Sequence, residues 1–228
     1  MIERSGHAAD AAAFSASSAT EKARFPALWA RCLSGEPTLA EMVSDQLIQL
    51  YGEPHRHYHT LNHIQHCLYQ FDLAAALMAD PDALEMALWF HDAIYQPGAP
   101  DNEWRSAELF REWAKGRATP TFLQRVHDLV MATTHCEPQH GDAGFIVDID
   151  LSGFGLPWAK CERDGCLIRA EFPAMTDDEY YPGHLRFLRS LQNRPTFFFT
   201  EFFQQRYESV AQANVARIIA ELRERGYY

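Results

Sequence analysis

The stretch Thr60-Leu-Asn-His-Ile-Gln-His-Cys-Leu-Tyr-Gln-Phe-Asp-Leu-Ala-Ala-Ala-Leu-Met-Ala79 decides the fold class, together with Asp80-Pro-Asp-Ala-Leu-Glu-Met-Ala-Leu-Trp-Phe-His-Asp-Ala-Ile-Tyr95 behind it. Leu61, Ile64, Leu68, Phe71 and Leu77 recur at helical spacing, which predicts an amphipathic helix over 60–79 that Pro81 stops. Asp80 then caps a second helix with Pro81 in its first turn, running toward Tyr95 before Pro97. The same signals recur outward in both directions. Thr38-Leu-Ala-Glu41 reads as a capping box for a helix that Gly52 ends. Asp101 opens a helix closed by Gly116, and Thr119-Pro120 opens another through about Thr134. Pro157 opens a helix that Pro173 closes. Thr176-Asp-Asp-Glu179 is a second capping box, and a last helix runs from about Thr200 to Arg225.

Only 141–156, with its glycines, reads as a loop with short helical or extended pieces. Ala and Leu together number 52 against 15 for Val and Ile, a ratio that disfavours strands. The expectation is an all-α chain: a flexible Ala/Ser-rich segment over 1–22, then one helical domain of about nine helices over 23–228.

The chain has 228 residues, is 47% hydrophobic and is 22% charged, so it can bury a sizeable core. Its net charge of −11 argues against a binder of nucleic-acid polymers or of anionic membranes, which needs a basic face. Five scattered cysteines with no CxxC pair argue against a disulfide scaffold or a four-cysteine zinc site. No apolar run suits a signal peptide or a membrane span, so a cytoplasmic location is expected.

Eleven histidines are unevenly placed, with His55, His57, His59, His63 and His66 inside twelve residues. Helix packing gives no reason for such a run, and neutral imidazole is the commonest metal ligand. His91-Asp92 follows the apolar stretch Met86 to Phe90. An ionised carboxylate buried without a partner is costly, so Asp92 wants a cation. Phe145-Ile-Val-Asp148-Ile-Asp150-Leu again embeds acids in an apolar run; Asp148 is the expected ligand and Asp150 the alternative. Imidazole and carboxylate donors from three segments make a mixed nitrogen and oxygen site. It suits a divalent ion, whether Mn, Mg, Fe, Ni, Co or Zn.

These residues resemble the HD superfamily of metal-dependent phosphohydrolases, whose signature is a histidine, a His-Asp pair some thirty residues on and a distant Asp. The chain is more closely similar to a bacterial group of predicted HD phosphohydrolases. It shares that group's segments as Arg56-His-Tyr-His-Thr-Leu-Asn-His63-Ile, Trp89-Phe-His-Asp-Ala93 and Asn102-Glu-Trp-Arg-Ser-Ala107. The resemblance runs from about residue 25 to the C-terminus. It implies a single HD-type helical bundle with His63, His91, Asp92 and Asp148 on the metal and His59 as general acid or outer-shell group. An alternative alignment makes His59 the first ligand. Glu103 would position or deprotonate water, Arg56 and more weakly Arg105 would clamp a phosphate, and Asp150 and His135 would border the site. His135 could also serve a second metal.

The implied activity is hydrolysis of a small phosphorylated substrate, a phosphate ester such as a nucleotide, by a monomer or homodimer. A di-iron oxygenase on the same fold and a non-catalytic nucleotide-binding module are the competing readings.

Overall fold

The computed structural model describes residues 23–228, and the segment expected to be flexible, 1–22, lies outside the described residues. Ten α-helices and no strand occur among the described residues, against the nine expected. They are α1 (23–32), α2 (Pro37–Tyr51), α3 (Leu61–Ala74), α4 (Pro81–Phe90), α5 (Asn102–Trp113), α6 (Pro120–Ala132), α7 (Gly141–Leu151), α8 (Trp158–Ala170), α9 (Asp177–Gln192) and α10 (Glu201–Glu224).

Two helices have no counterpart among those read from the sequence, α1 and α7, and α7 lies where a loop with short helical or extended pieces was expected. Its apolar residues show no helical period because nearly every face is buried: Gly144 through Ile149 and Leu151 all face the interior. A helix apolar all round gives no amphipathic signal. It starts at Gly141 with φ +56, a left-handed turn open to glycine, and ends in a 3-10 turn over Ser152–Gly155.

Other boundaries moved by a few residues. The Thr38 box does not form, since α2 already starts at Pro37 behind Glu36. The helix expected over 60–79 stays α-helical only to Ala74, then tightens into a 3-10 turn at Ala75–Leu77. Asp80 does cap α4, accepting from the Ala83 N–H at 3.0 Å, but α4 ends at Phe90 and not near Tyr95. Its C-cap is His91, so His91-Asp92 stands at the mouth of a loop over 91–101. The Thr176 box forms as expected, with the Glu179 carboxylate accepting from the Thr176 N–H at 2.8 Å.

Helix α4 is buried from Ala83 to Phe90 and packs against α3, α5, α6 and α7. The 3-10 turn after α7 lies on α10 and α8. Gly155 lets it approach: a Cβ there would stand 2.5 Å from the Tyr207 Cβ. Phe197, Phe198 and Phe203 are buried, so the aromatic run that leads into α10 packs into the core. No helix among the described residues is long and apolar enough to cross a membrane.

Candidate metal centre

Three elements carry their polar ends to one point. His63 lies in the first turn of α3, whose N-cap Thr60 accepts from Asn62 N–H. His91 and Asp92 leave the end of α4, and Asp150 lies in the last turn of α7.

The Nε2 atoms of His63 and His91 are 3.3 Å apart. Asp150 Oδ1 lies 3.2 Å from His63 Nε2 and 3.6 Å from His91 Nε2. Asp92 Oδ2 lies 3.5 and 3.1 Å from the same two atoms. The His91 Nδ1–H donates to the Leu88 carbonyl at 2.9 Å, which turns Nε2 toward the cluster. Cys67, one turn after His63, joins the set: its Sγ and donor atoms of His63, His91 and Asp150 all lie within 4.8 Å of one another. This cluster could hold a metal ion. The imidazole–imidazole and imidazole–carboxylate spacings of 3.1–3.6 Å suit donors around one ion, because atoms at about 2.0–2.2 Å from a tetrahedral ion are about 3.3–3.6 Å apart.

The charges agree with that fit. Burial works against ionised Asp150, but hydrogen bonds from His135, His63 and His91 hold its carboxyl well below the ordinary range. Burial likewise opposes ionised Asp92, and His91, His59 and His63 outweigh it. Burial disfavours a charged His91, yet Asp92 and Asp150 lift its pKa well above the ordinary value. Two carboxylates thus draw positive charge to one buried point.

The expected ligand Asp148 is not there. Its carboxylate accepts from the Phe199 N–H at 2.8 Å, the Thr200 N–H at 2.7 Å and the Thr200 hydroxyl at 2.7 Å, and so secures the start of α10. Burial nevertheless pushes its pKa up to about 6. Asp150, the alternative, occupies the cluster.

Arg56 is not a phosphate clamp either. Its side chain is fully buried and donates to Glu53 and to the carbonyls of His59, Asp92 and Ala93. It ties the His59 turn to the Asp92 turn. Arg105 lines a separate surface cleft with Trp104 and Glu108, away from the cluster.

His59 stands beside the cluster and is not part of the set that could hold a metal ion. Its Nδ1 bonds Glu171 Oε2 at 2.6 Å, and its ring stacks on Tyr95 at 4.3 Å. Burial opposes its charged form, but Asp92 and Glu171 raise its pKa above 6.5. Glu171 is a residue the sequence did not single out. One oxygen accepts from the N–H groups of His57, Tyr58 and His59 at 2.8, 2.8 and 2.9 Å, and the other from Tyr95 Oη at 2.7 Å. No local pattern marks it, because its partners are more than seventy residues away. Cys67 had a signal, the i+4 spacing from His63, which the scatter of the cysteines hid.

Glu103 and His135 reach the same cavity as His59, Asp92 and Asp150, a space of about 540 Å³. Burial raises the Glu103 pKa, and Asp92 and Asp150 add to it. His135 Nε2 bonds Asp150 Oδ2 at 2.9 Å, from a backbone held at φ +58. The shared Asn102–Ala107 segment has a scaffolding part: Asn102 brackets Gln96 with two hydrogen bonds, and Ser106 Oγ holds Ile94. His55 bonds the Tyr95 carbonyl and His66 bonds Ser152, so neither points at the cluster.

Compared with protein-family models, with curated proteins and with solved structures, the chain matches none.

Proposed function

We propose that this protein is a metal-dependent phosphohydrolase of the HD type, acting on a small phosphate monoester. The observation that carries the reading is the convergence of His63, His91, Asp92 and Asp150, of which Asp92 and Asp150 also line a cavity shared with His59 and Glu103. A divalent ion held by those donors would supply Lewis acidity toward a phosphoryl oxygen and toward water.

The other residues divide the proton work. Glu103, its basicity raised by burial among acids, accepts the proton of the attacking water. His59 lines the cavity with its Nδ1 side engaged by Glu171, which leaves Nε2–H to serve as the acid. The P–O bond breaks, the leaving oxygen takes the His59 proton, and water's oxygen stays on phosphorus. Tyr95 and Glu171 keep the imidazole in register.

The cavity also bears on the substrate. Its size is ordinary for a small-molecule site. Asp92, Glu103, Asp150, Asp164 and Glu179 line it, while Arg186 is the sole guanidinium among the described lining residues and is exposed. Tyr58, Tyr95, Phe154, Phe172 and Phe187 supply apolar walls. An acid-lined space of this kind favours one phosphoryl group on an apolar or aromatic body over a polyphosphate.

The test is a panel of phosphate esters run on metal-stripped protein, adding back Mn²⁺, Mg²⁺, Co²⁺, Ni²⁺ and Fe²⁺ in turn. Monoesters should turn over with at least one ion and triphosphates poorly. Stoichiometric metal binding with no turnover of any ester would overturn the reading. His135 beside the second oxygen of Asp150 is the one arrangement that favours a two-metal oxygenase instead. Two irons per chain with an oxygen-dependent product would establish that alternative.

A further inference from the structure

The hydrolytic reading leaves Cys67 without a task. Cys67 is fully buried and its Sγ lies 3.6 Å from His63 Nε2. The edges measured within the set His63, Cys67, His91 and Asp150 are 3.2, 3.3, 3.6 and 3.6 Å. A tetrahedral ion with bonds of about 2.0–2.1 Å to nitrogen and oxygen and about 2.3 Å to sulfur requires edges of about 3.3–3.6 Å. The last of the measured edges is the thiol's own, to His63 Nε2, and Sγ also lies within 4.8 Å of the His91 and Asp150 donor atoms, close enough for a small shift to bring all four onto one ion.

We propose that Cys67 gives the centre a second, closed coordination mode selected by the ion. A thiophilic ion such as Zn²⁺ takes His63, Cys67, His91 and Asp150 and releases Asp92. A hard ion such as Mn²⁺ takes the two imidazoles and two carboxylates and leaves the thiol as core. In the closed mode the S–H bond breaks, its proton passes to solvent, and a metal–thiolate bond forms. Four protein donors saturate a tetrahedral ion, as in structural zinc sites, so no position remains for water or substrate. Zinc would therefore hold the protein in an inactive state that hard ions relieve. The inference rests on the metal-site reading above.

Co²⁺ separates the two claims, because it reports both its coordination and its sulfur ligand by absorption. Metal-stripped full-length protein and Cys67→Ser are each loaded with one equivalent. The expected result is visible ligand-field bands in both proteins and a near-ultraviolet thiolate-to-cobalt charge-transfer band in the wild type alone. Ligand-field bands in both with no charge-transfer band in the wild type would overturn the inference and leave the metal site standing. No ligand-field bands in the wild type would overturn both.

Should Cys67→Ser fail to fold, zinc-edge X-ray absorption on the wild type decides the matter. A sulfur shell at about 2.3 Å supports the closed mode, and a shell of nitrogen and oxygen alone overturns it. Where the variant folds, its Zn²⁺ affinity should fall by more than about 100-fold, beyond what outer-shell changes do, with Mn²⁺ affinity unchanged. Equal losses for both ions would contradict ion-selected ligation.

Discussion

Asp148 and Asp150 stand two positions apart in one apolar run and have opposite surroundings. Successive residues of an α-helix turn by about 100°, so these two side chains leave α7 about 200° apart. One meets the imidazoles of His63, His91 and His135, and the other meets the backbone N–H groups at the start of α10. Asp150→Ala should therefore abolish metal binding while the helices persist, as read by elemental analysis and circular dichroism. Asp148→Ala should keep the metal but cost about 2–3 kcal/mol in a thermal or urea melt, because it strands buried N–H donors.

His59 makes the complementary kinetic case. Its pKa is raised, so the charged acid prevails below that pKa and is lost as pH rises through it. His59→Ala should lower kcat by about 100-fold or more and remove the basic limb of the pH–rate profile. The residue types of the site were readable in the sequence: His63, His91, Asp92, His59 and Glu103 all reach the same region. The choice between Asp148 and Asp150 was not, because it depends on the phase of a helix that hydrophobic periodicity does not reveal. Arg56 misled for a related reason. A lone arginine in a sequence looks like a free cation, and only the fold shows its donors spent on Glu53 and three carbonyls.

At the scale of elements, helix starts marked by a cap and a proline were legible. Asp80-Pro81 and Thr119-Pro120 open α4 and α6 with the side-chain caps in place. Helix ends were less so, since α4 stops at Phe90 with neither glycine nor proline there. Its end serves the site: the Asp92 and Ala93 carbonyls turn to Arg56, and Asn102 and Ser106 stitch the rest of the loop to α5. The junction of the 3-10 turn with α10 is equally tight. Gly155→Ala should destabilise by about 1–3 kcal/mol through overpacking against Tyr207, measurable as a lower denaturation midpoint with an unchanged slope.

For the whole molecule, stability should depend on pH through groups far apart in sequence. Burial opposes ionised Glu171, but the His59 ring, three backbone N–H groups and Tyr95 Oη hold its pKa from 4.5 down to about 2. A depressed carboxylate stabilises fully above its unfolded pKa. That contribution is complete above about pH 4.5 and is lost as pH falls toward 2. Asp148 has the opposite sign: with its pKa pushed up to about 6, its contribution is lost as pH rises through 6. Thermal melts across pH should show Glu171→Gln flattening the acid limb relative to wild type. The net charge of −11 is also redistributed by the fold, since Asp92, Asp150, Glu171 and Asp142 all hold specific partners.

The proposed hydrolysis requires one ion held between α3, α4 and α7. The most direct measurement of that ion is anomalous diffraction at the manganese edge from crystals of Mn²⁺-loaded protein. One strong peak is expected within about 2.0–2.3 Å of His63 Nε2, His91 Nε2 and oxygens of Asp92 and Asp150. A peak elsewhere, or none at full loading, would contradict it.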